Sequence, residues 1–262
     1  MINQKKSANG KMIAYTQPES QVAEQFRKLR TNINFLLPEN ELRSIAVTSA
    51  SSSEGKTTAA ANLSIVYTQA GKRVLLIDGD LRQPALHQTF NLSNASGIST
   101  VLAKEDDLKN AIKPTAIERL DVLTSGPAVA MSAEFLGSET MNQLMEHLLT
   151  IYDLLVFDSP PVLLVADGQI LTNKCQGTLL VINTGHTEKQ LAIQAKETIE
   201  SSGGKLLGAI LNNFKASKKG PGNPYFQSVE PGSQSQEQRK EKKVKQDTGL
   251  GKFKTKAYWR SS

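Results

Sequence analysis

The stretch Ile45-Ala-Val-Thr-Ser-Ala-Ser-Ser-Ser-Glu-Gly-Lys-Thr-Thr58 decides how this chain is read. A short β-type run leads into a polar turn, the turn closes on Gly55-Lys56-Thr57, and an alanine-rich segment (Ala59, Ala60, Ala61, Leu63) follows at helical spacing. Strand, phosphate-sized loop, Gly-Lys-Thr and helix form a cradle for a nucleoside triphosphate. Backbone N–H groups at a helix N-terminus meet phosphate oxygens, Lys56 adds a full charge, and the Thr57 hydroxyl can ligate Mg²⁺. Ala50 stands where the usual G-x-x-x-x-G-K-[ST] pattern has its first glycine.

Downstream, Arg73-Val-Leu-Leu-Ile-Asp78-Gly-Asp80-Leu-Arg82 is an apolar strand with two carboxylates at its carboxyl end, and Tyr152-Asp-Leu-Leu-Val-Phe-Asp158-Ser-Pro160-Pro161 repeats the arrangement with one. Continuous rather than alternating apolar character marks strands covered on both faces, as in a parallel sheet. Further strands are expected at Leu120–Ser125, Thr178–Asn183 and Leu206–Asn212, with helices to about Ala70 and over Glu134–Leu149 and Thr187–Ser201. The segment 86–116 reads as helical and loop-like. Strands alternating with helices predict an α/β, P-loop-type, mostly parallel sheet with helices on both faces. Ligands of such sheets bind at the carboxyl ends of the strands. The loop, Asp78, Asp80, Asp158 and Asn212 all fall there.

The acids define the chemistry. Mg²⁺ takes oxygen ligands and keeps several waters, so carboxylates beside the phosphates are expected. Asp158 suits the metal-holding role after its strand. Asp78 or Asp80 can take a proton from an acceptor hydroxyl, or they can cap the following helix or pair with Arg82. His87, His147 and His186 are scattered without metal spacing, and the single Cys175 excludes an internal disulfide.

Before the loop, Val22, Phe26, Leu29, Ile33 and Leu36 recur at steps of three and four, predicting an amphipathic helix from Glu19 to Leu37 ended by Pro38. Glu24, Arg27 and Arg30 make a charged stripe on its other face. Residues 1–17 read as a flexible lead without the apolar core of a secretory signal, 18–214 as one domain, and 215–262 as a disordered tail. That tail holds twelve Lys/Arg against four Asp/Glu, a net of +8, while the rest of the chain carries −2. It is either simply solvated or suited to an anionic surface. No apolar run approaches the roughly 18 residues of a membrane span, so a soluble cytoplasmic chain is expected.

Together, the stretch ending Glu54-Gly55-Lys56-Thr57-Thr58, the Leu75–Arg82 stretch with its acid pair, and Leu154–Pro161 resemble the bacterial tyrosine kinases of capsule and exopolysaccharide synthesis, within the deviant-Walker P-loop ATPase group. Glu24-x-x-Arg27-x-x-Arg30 matches that family's ring-assembly motif. The resemblance covers about residues 15–214. It implies a non-specific protein-tyrosine kinase that uses ATP and Mg²⁺ and phosphorylates itself between ring neighbours. It also implies a membrane polysaccharide co-polymerase as activating adaptor, holding the chain at the inner face of the cell membrane, and a cognate phosphatase, with no specific nucleic acid.

By the same resemblance, Ser53 to Thr58 and Asn212 bind ATP, with Asn212 at the adenine. Lys56 binds phosphates, and Thr57, Asp80 and Asp158 serve the metal. Asp78 is the base, supported by Asp80. The chain departs from the family at Ser52-Ser53, where Pro-Gly is usual, and in its tail, where Tyr225 and Tyr258 replace a tyrosine cluster. A partitioning or division-site ATPase of the same fold is the alternative, but it would carry a lysine within Ser49–Ser53. A non-catalytic ATP-gated scaffold is a third reading.

Overall fold

Every residue of Val74–Asp78 and of Leu154–Asp158 is buried. In the computed structural model, which describes residues 11–36 and 42–214, these two runs are neighbouring parallel strands. The strands are β1 (Ser44–Ser49), β2 (Val74–Asp78), β3 (Ile112–Pro114), β4 (Leu120–Leu123), β5 (Leu154–Asp158), β6 (Gly177–Asn183) and β7 (Leu206–Asn212). They form one sheet in the order β3-β4-β2-β5-β1-β6-β7. All pairings are parallel except β3 with β4. Asp158 is level with Asp78 on one side and with Val47 on the other. The register alone therefore brings both acids to the edge from which the loop departs.

Alternation along each strand sorts the core into two layers. Val47, Leu76 and Val156 pack with Leu63 and Ile65 of helix α3 (Lys56–Thr68), while Leu75, Ile77 and Phe157 pack on the opposite face with Leu148 and Leu171. Each such side chain contributes about 1.5–3 kcal/mol on full burial. Helix α3 is buried along ten consecutive residues, Ala59 to Thr68, because α1 (Ile13–Thr16) and α2 (Gln21–Leu36) cover its outer side. Its buried polar groups are satisfied locally: the Ser64 hydroxyl donates to the Ala60 carbonyl at 2.8 Å and Thr68 to Ile65 at 2.8 Å.

The expected α/β class holds, with local corrections. The lead is not structureless throughout, since Ile13–Thr16 is a helical turn with Ala14 fully buried. Helices α4 (Leu86–Phe90), α5 (Ile98–Leu102) and α6 (Leu108–Ala111) were anticipated as helical segments, but the antiparallel strand β3 after them was not. The expected Glu134–Leu149 helix is two, α7 (Ser132–Gly137) and α8 (Glu139–Ile151), because the Ser138 hydroxyl accepts the Met141 N–H and caps a new helix. Helix α9 (Ala166–Lys174) was unforeseen, and α10 spans Lys189–Ser201. Pro38 and the 215–262 tail lie outside the described residues. Among the described residues no helix is long and apolar enough to cross a membrane.

Candidate nucleotide and phosphotransfer site

The loop's shape comes from its small residues and from one buried acid. Gly55 adopts φ +99°, and a Cβ there would meet the Asn212 side-chain nitrogen at 2.1 Å. Asn212 at the end of β7 donates to the Glu54 carbonyl at 2.9 Å, tying the last strand to the loop. Glu54 is only 4% exposed and its Oε1 accepts the Ser51 N–H at 3.2 Å. Burial raises its pKa against hydrogen bonds from Thr187, Ser51 and Ala50 and the charge of Lys56. Its side chain thus braces the loop from inside. Ala50, in place of a glycine, is fully buried in a small apolar cluster. Ser53 sits at φ 61°, a left-handed conformation costing on the order of 1 kcal/mol for a non-glycine residue.

Among the described residues no protein acceptor takes the N–H groups of Ser53 to Thr57. These donors, at the start of a buried helix, are what phosphate oxygens require. Gly55→Ala is expected to destabilise the domain by about 1–2 kcal/mol from its left-handed backbone alone. It should also displace Asn212 and weaken nucleotide binding, both measurable by thermal melts with and without nucleotide.

Across the cradle, the Asp158 carboxylate is 2% exposed and lies close to the Thr57 hydroxyl and the Lys56 ammonium. Its Oδ1 is buried with no hydrogen-bond partner. Burial pushes its pKa up to about 6, opposed by Thr57 and by the charges of Lys56 and Lys11, and helped by Asp80. Asp78 is fully buried and accepts the N–H groups of Asp80, Ala85 and Leu86 at 3.3, 3.1 and 3.0 Å. Burial first, then the Asp158 charge, holds its carboxyl well above the usual range. Asp80 is 9% exposed, with Oδ1 accepting the Gln83 N–H at 2.9 Å.

The capping anticipated for the acid pair is therefore present at Asp78, whereas Arg82 pairs elsewhere. No three His, Cys, Asp or Glu side chains among the described residues converge on one metal position. An orphaned Asp158 oxygen beside the Thr57 hydroxyl instead fits Mg²⁺ that takes one or two protein oxygens and completes its shell with phosphate and water.

Arg82 grips Asp167 at the start of α9, its Nε and Nη2 donating at 3.1 and 3.3 Å to a carboxylate with no solvent exposure. Next to it, a Cβ on Gly168 would lie 2.9 Å from the Pro160 carbonyl and 3.0 Å from the Val162 Cα. This close approach joins the loop after Asp80 to the segment after Asp158, so the two acidic strand ends are braced together. Arg82→Leu leaves Asp167 buried and unpaired. Because the Arg82 side chain is half exposed, the expected cost is below the roughly 3–5 kcal/mol of a fully buried broken pair. Urea unfolding should recover part of that loss in an Arg82→Leu/Asp167→Leu double variant.

The side chains of Glu24 and Arg27 in the helix stripe are about one-third exposed, and the stripe also bonds its own chain. Arg27 bonds Glu24 at 2.8 Å and donates to the Pro18 carbonyl, and Arg30 donates to the Val66 carbonyl of α3. Tyr225 and Tyr258 lie outside the described residues. Sequence reasoning missed Asn62. Its Nδ2 donates to the Lys11 and Thr58 carbonyls at 2.6 and 2.7 Å, and its Oδ1 accepts the Ala14 N–H at 2.7 Å. The available signal was a lone asparagine in an otherwise small and apolar helix, four residues after Thr58.

Residues 42–196, more than half of the chain, match a family model described as an AAA domain. The chain is 47% identical to the tyrosine-protein kinase YwqD of Bacillus subtilis over 207 residues, covering 79% of this chain and 87% of that protein. The chain belongs to the bacterial tyrosine-protein kinase family. It is a protein-tyrosine kinase. The kinase is also 36% identical to the tyrosine-protein kinase CpsD of Streptococcus agalactiae over 195 residues, with 74% of this chain and 83% of that one covered. Its fold matches the crystal structure of the chimerical protein CapA2B2 with a TM-score of 0.76 and 39% identity, over 79% of the kinase and 91% of that chain.

Proposed function

We propose that the kinase transfers the γ-phosphoryl group of ATP, with Mg²⁺, to tyrosines of its own copies, and that it acts in capsular or exopolysaccharide synthesis beside a membrane adaptor. The observation that carries this reading is the unpartnered Asp158 oxygen next to Thr57 and Lys56, at the mouth of a loop with unclaimed N–H donors. In it the N–H groups of Ser53 to Thr58 and the Lys56 ammonium hold the phosphates, and Asn212, already on the Glu54 carbonyl, borders the adenine. Thr57, Asp158 and Asp80 hold Mg²⁺, which supplies neutralisation of the charge developing between the β- and γ-phosphates.

Asp78 or Asp80 receives the tyrosine proton. The raised carboxyl of Asp78 favours uptake, while its three backbone bonds hold it in place. Glu24, Arg27 and Arg30 contribute to ring contacts through the helix they share, and the basic tail with Tyr225 and Tyr258 supplies acceptors. Residues 18–214 form the catalytic unit. Incubating the full chain with ATP and Mg²⁺, with and without an adaptor's cytosolic tail, should yield phosphotyrosine. Absence of label on every tyrosine and on an added tyrosine-containing polymer would overturn the proposal.

A further inference from the structure

Of the chain's five tyrosines, three fall among the described residues, and they differ sharply in access. Tyr67 is 4% exposed and its hydroxyl donates to Asn34 Oδ1 at 3.1 Å. Tyr152 is 7% exposed and donates to Asp121 Oδ2 at 2.8 Å. Burial pushes both phenols above their ordinary range. Neither can enter a second copy's site without unfolding the core around it.

Tyr15 is the opposite case, 47% exposed on the single turn of α1. That turn is fastened to α3 mainly through its backbone: Ala14 N–H to Asn62, Lys11 carbonyl to Asn62, and Ala14 carbonyl to the Gln69 amide at 3.0 Å. Tyr15 follows the buried Ala14 and stands on the exposed side of this four-residue turn.

We propose that Tyr15 is a phosphoacceptor of this kinase, a modification site on the N-terminal turn rather than in the tail. The inference rests on the phosphotransfer reading above. In the step, the Tyr15 Oη forms a bond to the γ-phosphorus of ATP while the bond from that phosphorus to the β–γ bridging oxygen breaks. ADP leaves with the electron pair, and the phenolic proton passes to a carboxylate of the site. The product carries about −1.5 to −2 charges on the new phosphate. It lies on a turn packed against both the helix of Glu24 and Arg27 and the helix that begins at Lys56. Modification there places charge on a turn bonded to α3 at Asn62 and Gln69.

The test is site mapping by mass spectrometry after incubating the full chain with ATP and Mg²⁺. Phosphate is expected on the Tyr15 peptide, reduced about 100-fold or more in Lys56→Met, which removes a charge-stabilising group. Tyr15→Phe should erase that signal while still phosphorylating an added tyrosine-containing polymer. A chain that phosphorylates the polymer, Tyr225 or Tyr258 but leaves Tyr15 unmodified overturns this inference alone. A chain that phosphorylates nothing overturns the phosphotransfer reading and this inference with it.

Discussion

Lys56→Met is expected to lower phosphotyrosine formation by about 10²–10³-fold, the usual consequence of removing one preorganised charge-stabilising donor. The loop's N–H groups remain in the variant, because Gly55, Asn212 and the buried Glu54 shape the backbone without help from the lysine side chain. Nucleotide binding should therefore weaken less than turnover. Dissimilar losses are what distinguish a group acting mainly on the transferring phosphoryl from one that binds ground and transition states alike. Isothermal titration with a non-hydrolysable ATP analogue, set beside the rate on a tyrosine-containing polymer, separates the two. Equal losses in both would assign Lys56 to uniform binding. An undiminished rate would remove it from the chemistry.

How far the chain could be read in advance followed from where its information is local. The runs Val74–Asp78 and Leu154–Asp158 announce buried parallel strands because each residue reports its own burial, and both are buried throughout. The agreement of the loop with strand-end acids needed only the rule that parallel sheets bind at their carboxyl edge. Strand β3 was illegible for the opposite reason. Its three residues include a proline and take strand form only through pairing with β4 at the sheet edge. The Arg82–Asp167 brace joins residues 85 positions apart, and no periodicity encodes such a pair. Asn62 was hidden by a polar residue's ordinary meaning in a helix, an exposed face. Here α1 and α2 cover that face, so the asparagine becomes the clasp of the N-terminal turn. The inward turn of the Glu54 side chain, buried and accepting the Ser51 N–H, carries no sequence signal of its own.

Asp158→Asn should divide stability from activity in opposite directions. In the metal-free chain this carboxyl is held up to about 6 by burial, with the Thr57 hydroxyl, Lys56 and Lys11 pulling it down and Asp80 pushing it up, and it lies beside Asp78, itself well above the usual range. Its folded pKa exceeds its unfolded one, so between about pH 4 and 6 the native state binds more protons than the unfolded state, and stability falls as pH rises through that window. Above it the penalty of an ionised, buried, half-partnered carboxylate is complete. The asparagine cannot ionise. The metal-free variant should then melt higher than the parent at pH 7, by about 2–4 °C for each kcal/mol released, and show no advantage near pH 4.

Phosphotransfer moves the other way. Losing the anionic oxygen weakens Mg²⁺ binding and the neutralisation it supplies, at a loss of about two orders of magnitude or more in rate. In the parent, the Mg²⁺ concentration for half-maximal rate should drop as pH rises from about 5 to 7, because the ion must displace a proton to reach Asp158. Melting curves at pH 4 and 7, together with Mg²⁺ titrations of the rate across that range, check both halves. An asparagine variant that is less stable at pH 7 without metal would show that Asp158 is held by protein contacts rather than kept ready for a cation.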